Sequence, residues 1–424
     1  MPIICNMYNL LMSLIKSGSL ISYDYFWMQF TMMRITRLFY IIIISLFGFM
    51  CSHKASDPTV PTTPSDVLNE MVRTADSQTI VIDEFEQQTI QIKKNDILYS
   101  TYTNNNSDTE PVLGFLRSII YTENQFYIYD SNTNATYTLE ENGSITGPYT
   151  REGRGPGEHL YVENLSFNSD FIYATDLSNG RINVYSPMME PVKALEPYSS
   201  WGGITVNDEI ILHLNERSSG FVPSFPEEGL VVVSSVKNLS DTLATLMPRI
   251  IPAGYQPQVY NEVKYSLNNR NQIVASYSPL PWFFIFNNQY EHINTVILEY
   301  SAFDELDIPT MDFFKPKGNE GYGGQMPVHS YKLMDNGDLF ITLRRELLHL
   351  TRENNSYQLK GRYSIQYQHE DEIHDENSFT WVFNQVIKKT AHEIYVYNPG
   401  YLYHFEMPLN ESQENVIRSK DSWL

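Results

Sequence analysis

One pattern occurs twice within residues 117–187, 46 positions apart, and it constrains the fold more than any other feature of the chain. In the first copy, Phe126-Tyr-Ile-Tyr-Asp130 runs through a polar turn into Ala135-Thr-Tyr-Thr-Leu139. In the second, Phe171-Ile-Tyr-Ala-Thr-Asp176 runs through Leu-Ser-Asn-Gly into Arg181-Ile-Asn-Val-Tyr185. Ile128 and Asp130 thus align with Ala174 and Asp176. A fixed period of short strand pairs marks an array in which each unit buries its apolar faces against its neighbours.

Six such strand-turn-strand units can be read. They are Ser118–Tyr121 with Phe126–Tyr129, Leu165–Phe167 with Phe171–Thr175, and Gly203–Val206 with Ile210–Leu214. Then come Val263–Leu267 with Ile273–Tyr277, Ser330–Leu333 with Leu339–Leu343, and Asn384–Ile387 with Glu393–Tyr397. Asn, Asp and Gly cluster at most of the turns, as a hairpin requires. A third apolar run follows most pairs: Thr136–Leu139, Ile182–Tyr185, Val231–Val233, Phe283–Phe286, Leu347–Leu350 and Tyr401–Phe405. No long segment has convincing 3.6-residue periodicity, so helices are expected to be few and short. The expected fold is all-β: a six-bladed β-propeller of four-stranded antiparallel blades over residues 76–410. The sixth unit lacks an obvious fourth strand, so an N-terminal strand is expected to complete that blade and close the ring. Thr79–Ile82 and Thr89–Ile92 lie ahead of the first unit, and the insertions at 216–229 and 303–328 read as loops.

Leu38–Met50 is an apolar stretch of 13 residues preceded by Arg34 and Arg37, short for a membrane span and suited to a signal-peptide core. Cys51 follows at once. This segment, 1–51, resembles a bacterial lipoprotein signal, with Cys51 as the lipid-bearing residue and the lipid anchor as the link to the membrane. An ordinary signal peptide or an uncleaved anchor remains open. Residues 1–31 precede a tidy start at Met32 or Met33, where translation is expected to begin. Residues 52–75 read as a flexible tether and 411–424 as a C-terminal tail. Cys5 and Cys51 are the only cysteines, so the exported chain has no pair to bridge.

The chain holds 50 Asp and Glu against 29 Lys and Arg, a formal charge of −21. Losing residues 1–50 removes three basic residues and one acid and takes the charge to −23. Such a surface argues against nucleic acid as a partner, and no basic stripe with interleaved aromatics offsets it.

The block Gly153-Arg-Gly-Pro-Gly-Glu158, followed by Tyr173-Ala-Thr-Asp176 and Asn179-Gly-Arg-Ile-Asn-Val184, resembles the six-bladed β-propeller lipoproteins of Gram-negative bacteria. These are relatives of the NHL-repeat and TolB-like propellers. The resemblance is strong over 113–187 and extends over 78–407. It implies an exported propeller, lipid-anchored in the outer membrane and facing the periplasm or the cell surface. It implies no particular activity. In the first unit Ala135 stands where the second has Arg181, so that arginine is not a ring-wide requirement.

Gly153-Arg-Gly-Pro-Gly157 lacks the dinucleotide-loop spacing, and Pro156 blocks the helix such loops feed. It reads as a blade-to-blade crossover. Arg154 and Glu158 either line the central face or pair with each other or with backbone. Asp130 and Asp176 each end a strand, where they are expected to cap the following turn. Arg154, Glu158, Asp176 and Arg181 are therefore carried as ligand-facing or structural loop residues. His369-Glu-Asp-Glu-Ile-His374 resembles the zinc-protease helix motif, but its histidines are five apart instead of four. The aromatic clusters at Pro281–Phe286 and Tyr395–Tyr403 read chiefly as blade core.

Two functions fit these features. The preferred one is a binding or scaffolding module for a protein, peptide or glycan, without a cofactor. The alternative is a metal-dependent propeller hydrolase, lactonase or lyase with a carboxylate site in the central channel, and only there does calcium enter. Three or more Asp, Glu, Asn or His at the channel mouth would favour the enzyme. An apolar or tyrosine lining would favour binding.

Overall fold

Each of the six strand pairs read from the sequence becomes the first two strands of an antiparallel sheet, and the six sheets form a ring. The computed structural model describes residues 64–92, 97–100, 113–122, 124–195, 202–215, 229–248, 262–278, 280–306, 328–343, 346–369, 372–373, 385–388, 393–398 and 401–406.

Blade 1 comprises Leu116–Thr122, Gln125–Asp130, Ala135–Glu140 and Ile145–Thr146. Blade 2 comprises Val162–Phe167, Ile172–Asp176, Arg181–Tyr185 and Pro191–Leu195. Blade 3 follows with Thr205–Val206, Ile210–Leu214, Val231–Ser235 and Asn238–Leu246. In blade 4 the strands are Val263–Leu267, Ile273–Tyr277, Trp282–Phe286 and His292–Glu299. Those of blade 5 are Val328–Leu333, Leu339–Leu343, Glu346–Glu353 and Ser356–His369. Blade 6 has Gln385–Lys388, Glu393–Asn398 and Tyr401–Glu406, completed by Ile97–Ser100 from the N-terminal side. The first strands of successive blades lie beside one another around the axis.

The hydrophobic pattern explains this stacking. A middle strand is covered on both faces by neighbouring blades, so it reads as a continuous apolar run instead of an alternating one. Ile172–Asp176, Ile273–Tyr277 and Leu339–Leu343 are buried throughout, whereas the outer strand Pro191–Leu195 is almost wholly exposed. The two-residue period then assigns each side chain to a seam. Ile172 and Ala174 pack with Tyr127 and Tyr129 of blade 1, while Tyr173 packs with Ile204, Val206 and Ile211 of blade 3. The core is thus a set of seams, not one central cluster. Pro281–Phe286 follows suit: Phe283 and Phe284 are fully buried, as are Tyr395 and Tyr403.

The N-terminal segment departs from the sequence reading in two ways. The run at Thr79–Ile82 and the run at Thr89–Ile92 do form strands, but neither closes the ring. Asp76–Val81 lies parallel to His292–Glu299 as a fifth strand of blade 4, and Gln87–Ile92 lies parallel to Ser356–His369 as a fifth strand of blade 5. The closing strand is the next one, Ile97–Ser100. Residues 64–74, included in the tether read from composition, form the helix Pro64–Thr74. Its Leu68 and Met71, three apart on one face, pack against Ile210 and Leu212 of blade 3 and Phe284 of blade 4. The Pro/Ser/Thr-rich stretch that suggested a tether ends at Ser65.

This strap is pinned at several points. Gln78 Nε2 donates to Tyr357 O (2.5 Å) and Gln78 Oε1 accepts from Tyr357 N (2.7 Å). Asp83 accepts from Ser301 N (2.7 Å) and Oγ (3.0 Å). Glu346, buried in blade 5, accepts from Gln87 Nε2 (2.6 Å), Tyr300 Oη (2.8 Å) and Arg362 Nη2 (2.9 Å). Among the described residues no helix is long and apolar enough to cross a membrane. Cys51, the 1–51 segment and the 411–424 tail lie outside the described residues.

Candidate functional site

The crossover from blade 1 to blade 2 holds the residues that the sequence made conspicuous. Gly155-Pro156-Gly157-Glu158 is a turn closed by Glu158 N donating to Gly155 O (3.1 Å), with Gly157 at φ +73°. Proline at the second position and a left-handed glycine at the third are what a type II turn demands. Glu158 folds back over the turn. Its Oε2 accepts from Gly155 N (2.6 Å), and its Oε1 accepts from Arg151 Nε (2.8 Å). A Cβ on Gly155 would lie 2.8 Å from that Oε2, so a side chain there would push the carboxylate off the turn. The Gly155 amide, then Arg151, hold the Glu158 carboxyl below its usual range.

Beneath the turn, Arg181 is nearly buried and donates to three backbone carbonyls: Arg154 O (3.2 Å), Gly155 O (2.7 Å) and Glu158 O (2.9 Å). Asp176 is fully buried. It accepts from Tyr161 N (3.2 Å), Leu160 N (3.3 Å), Asn179 N (3.3 Å) and Asn179 Nδ2 (2.7 Å). It therefore caps its own turn and also clamps the chain as it enters blade 2. Asp130 repeats the device in blade 1, accepting from Gly114 N (3.1 Å) and Phe115 N (2.7 Å) at the blade's entry and from Thr133 Oγ1 (2.9 Å) in the turn.

His159, missed by the sequence reading, completes this network at zero exposure. Asn183 Nδ2 contacts its Nδ1 (3.1 Å) and also donates to Glu158 O (3.2 Å), which fixes the amide's orientation. Nδ1 is therefore an acceptor, and the neutral ring donates from Nε2 to Tyr185 Oη (3.0 Å). Burial pushes the His159 pKa down to about 4; Asp176, 3.9 Å away, opposes the fall and Arg181 adds to it. Of the four residues carried from the sequence, Glu158, Asp176 and Arg181 converge here and are engaged by backbone or by Arg151. Arg154 is exposed, and its side chain has no partner among the described residues.

The inner strands show a second repeated device. Ser166 Oγ of blade 2 accepts from Val206 N of blade 3 (2.9 Å), and Ser266 Oγ of blade 4 accepts from Leu333 N of blade 5 (2.9 Å). Two positions earlier, Ser118 accepts from Leu165 N (2.8 Å) and Asn164 from Ile204 N (3.0 Å). Where the inner strand turns, Asn168, Asn207 and Asn268 donate to the carbonyls of Asn207 (3.4 Å), Asn268 (2.9 Å) and Met334 (3.1 Å), each one blade on. Their own Oδ1 atoms cap the turns. These bonds stitch blade to blade along the channel wall.

The charges on this wall reverse the balance of the chain. Among the described side chains of the inner strands, Arg117, Lys264 and Lys332 stand against a single acid, Glu163. Bulges at Leu116/Ser118, Val162/Leu165 and Val328/Ser330 take Arg117, Glu163 and His329 out of the ladders. Arg117 pairs with Glu163 at 2.5 Å and lies 4.3 Å over the Tyr161 ring. Lys264 Nζ donates to Val328 O (3.1 Å) and His329 O (2.7 Å). Lys332, only partly exposed, makes no hydrogen bond or ion pair with any described residue. Burial holds both lysines below their ordinary pKa, with Glu262 opposing the fall at Lys264 and Asp335 at Lys332.

Among the described residues the inner strands and their turns present amide, hydroxyl and cationic side chains, and the amides of Asn168, Asn207 and Asn268 are engaged in blade-to-blade and turn hydrogen bonds. Among the described residues no group of three His, Cys, Asp or Glu is placed to hold a metal ion. The segment resembling a zinc motif is a strand pair, with His369 opposite Glu372, and His374 lies outside the described residues. Lys332 would have been found by aligning the units on their turns. It occupies the place, two before the turn, that Ser166 and Ser266 hold.

No family model matches the chain, and no curated protein matches it. Solved structures do. A candidate exported protein of Bacteroides fragilis is 13% identical, with 76% of this chain and 100% of that one covered and a TM-score of 0.47. A streptogramin B lyase is 12% identical over 70% and 95%, with a TM-score of 0.36. The virginiamycin B lyase of Staphylococcus aureus is 11% identical over 74% and 88%, with a TM-score of 0.32. At such identities and TM-scores they carry no argument about this chain's chemistry.

Proposed function

We propose that this chain is an exported propeller of the cell envelope, lipid-anchored through Cys51 in the outer membrane, that binds a protein, peptide or glycan. The observation that carries the binding role is the asymmetry of its connections. The first-to-second-strand turns are short, as at 168–171, 207–209 and 268–272. The connections that leave outer strands for the next inner strand are long, at 247–262 and 300–327. In a propeller these connections open on the face opposite the short turns. Long loops presented by a rigid ring are where binding surfaces are built. The pinned strap suits anchoring, because in the chain it lies between Cys51 and the strand that closes the ring.

Two experiments test this. Metabolic labelling with an alkyne fatty acid is expected to mark the wild-type chain and not Cys51→Ser, which leaves the membrane fraction. Label retained by Cys51→Ser overturns the anchor. A photo-crosslinking side chain placed at exposed Arg154, on the long-loop face, is expected to capture a partner in cells, while one at Arg270, in a short turn, does not. The reverse result overturns the face assignment. Chelator is expected to leave the melting temperature of the full chain unchanged; a drop restored by calcium would turn the reading toward the metal-dependent hydrolase.

A further inference from the structure

We propose that Lys332, on the inner strand of blade 5, is the anchor of an oxyanion site that receives a carboxylate, sulfate or phosphate group of the bound partner. The inference rests on the binding reading above and adds the chemistry of what is bound.

The repeat supplies the internal control. The position two residues before the inner-strand turn is Ile120 in blade 1, Ser166 in blade 2, Thr205 in blade 3 and Ser266 in blade 4, and each of the two serine hydroxyls accepts from an N–H of the following blade. In blade 5 the same position is Lys332, which cannot accept and so cannot make that bond. A partly buried ammonium costs free energy unless paired, and here no described residue pairs with it. A charged side chain among the Ile, Ser and Thr of the other aligned positions, without a partner among the described residues, marks a functional position.

The surroundings point to an anion. Among the described side chains the inner strands carry three basic residues and one acid, in a chain whose acids outnumber its bases 50 to 29, and that one acid is already paired with Arg117. The Lys264 ammonium rests on carbonyls at the entry end of the same blade 5 strand and adds positive potential there. Low-dielectric walls focus such a field, so a weakly populated anion outside is concentrated within. The acidic exterior would repel the same ligand, which confines attraction to the channel.

The test uses the full chain and two probes, sodium sulfate and sodium acetate, each titrated against sodium chloride at constant ionic strength. Lysines are reductively ¹³C-methylated, and the Lys332 signal is identified by its absence from Lys332→Gln. The Lys332 signal is expected to shift saturably with a probe anion, while exposed Lys237 follows ionic strength alone. The anion is also expected to raise the melting temperature of the wild type and of Lys332→Arg. Its affinity for Lys332→Gln should be about tenfold weaker or worse. Sulfate preferred over acetate points to a sulfate or phosphate ester, and the opposite order to a carboxylate. A Lys332 signal that tracks Lys237 in every salt, or equal stabilisation of Lys332→Gln, overturns the site. The crosslink from Arg154 separates the two readings: with it intact, a failed titration removes only the oxyanion site.

Discussion

At the crossover between blades 1 and 2, charge is spent on the backbone. Arg181 serves three carbonyls, Asp176 serves several N–H groups at the blade's entry and in its own turn, and Glu158 holds a turn and Arg151. On the inner strand of blade 5, Lys332 serves nothing among the described residues. The crossover is what drew notice in the sequence, because a tight turn needs Gly and Pro and its carbonyls need a buried donor. Those are structural demands, and they leave a visible signature. A site that waits for a ligand leaves no such signature, only a residue out of place in a repeat.

Substitutions can break or sharpen that contrast. Arg181→Ala is expected to cost most, about 3 kcal/mol, because a nearly buried guanidinium that donates to three crossover carbonyls is lost and Arg154 O is left without a described donor; a shift in urea midpoint without a change in slope is the readout. Acidification comes next. The folded His159 pKa of about 4 lies below its unfolded value of 6.5, so the unfolded chain binds the proton more readily. The stability held above the unfolded value is lost as pH falls toward the folded one. Between about pH 7.5 and about pH 5 the loss is about 2 kcal/mol. His159→Gln should remove that part of the slope; an unchanged slope would mean that the ring already charges in the folded state. Ser266→Ala, which leaves Leu333 N without its acceptor, should cost about 1 kcal/mol. Lys332→Gln, at the matching position one blade on, should cost nothing.

The blade count, the first three strands of each blade and the closure by an N-terminal strand were legible because middle strands buried on both faces are continuous apolar runs. Outer strands such as Pro191–Leu195 were not, since exposure removes the pattern. Which N-terminal strand closes the ring was also hidden. Thr79–Ile82 and Thr89–Ile92 stand out in the sequence and Ile97–Ser100 does not, and only the partner strands distinguish a fifth strand from a fourth. The capping roles of Asp130 and Asp176 were legible from the residue type at a strand end, but the reach of each carboxylate to the blade's entry was not. His159 and Lys332 were invisible singly. One needs Asn183 and Tyr185 beside it to be understood, the other needs Ser166 and Ser266 as its controls.

The most direct measurement sets Arg181→Ala and Lys332→Gln side by side in urea unfolding of the full chain, in anion-free buffer and with sulfate. The account predicts that Arg181→Ala falls well below wild type in both, while Lys332→Gln equals or exceeds wild type without sulfate and gains less from it. A Lys332→Gln chain as destabilised as Arg181→Ala, with sulfate making no difference, would show that the lysine belongs to the scaffold and would contradict the division drawn between the two regions.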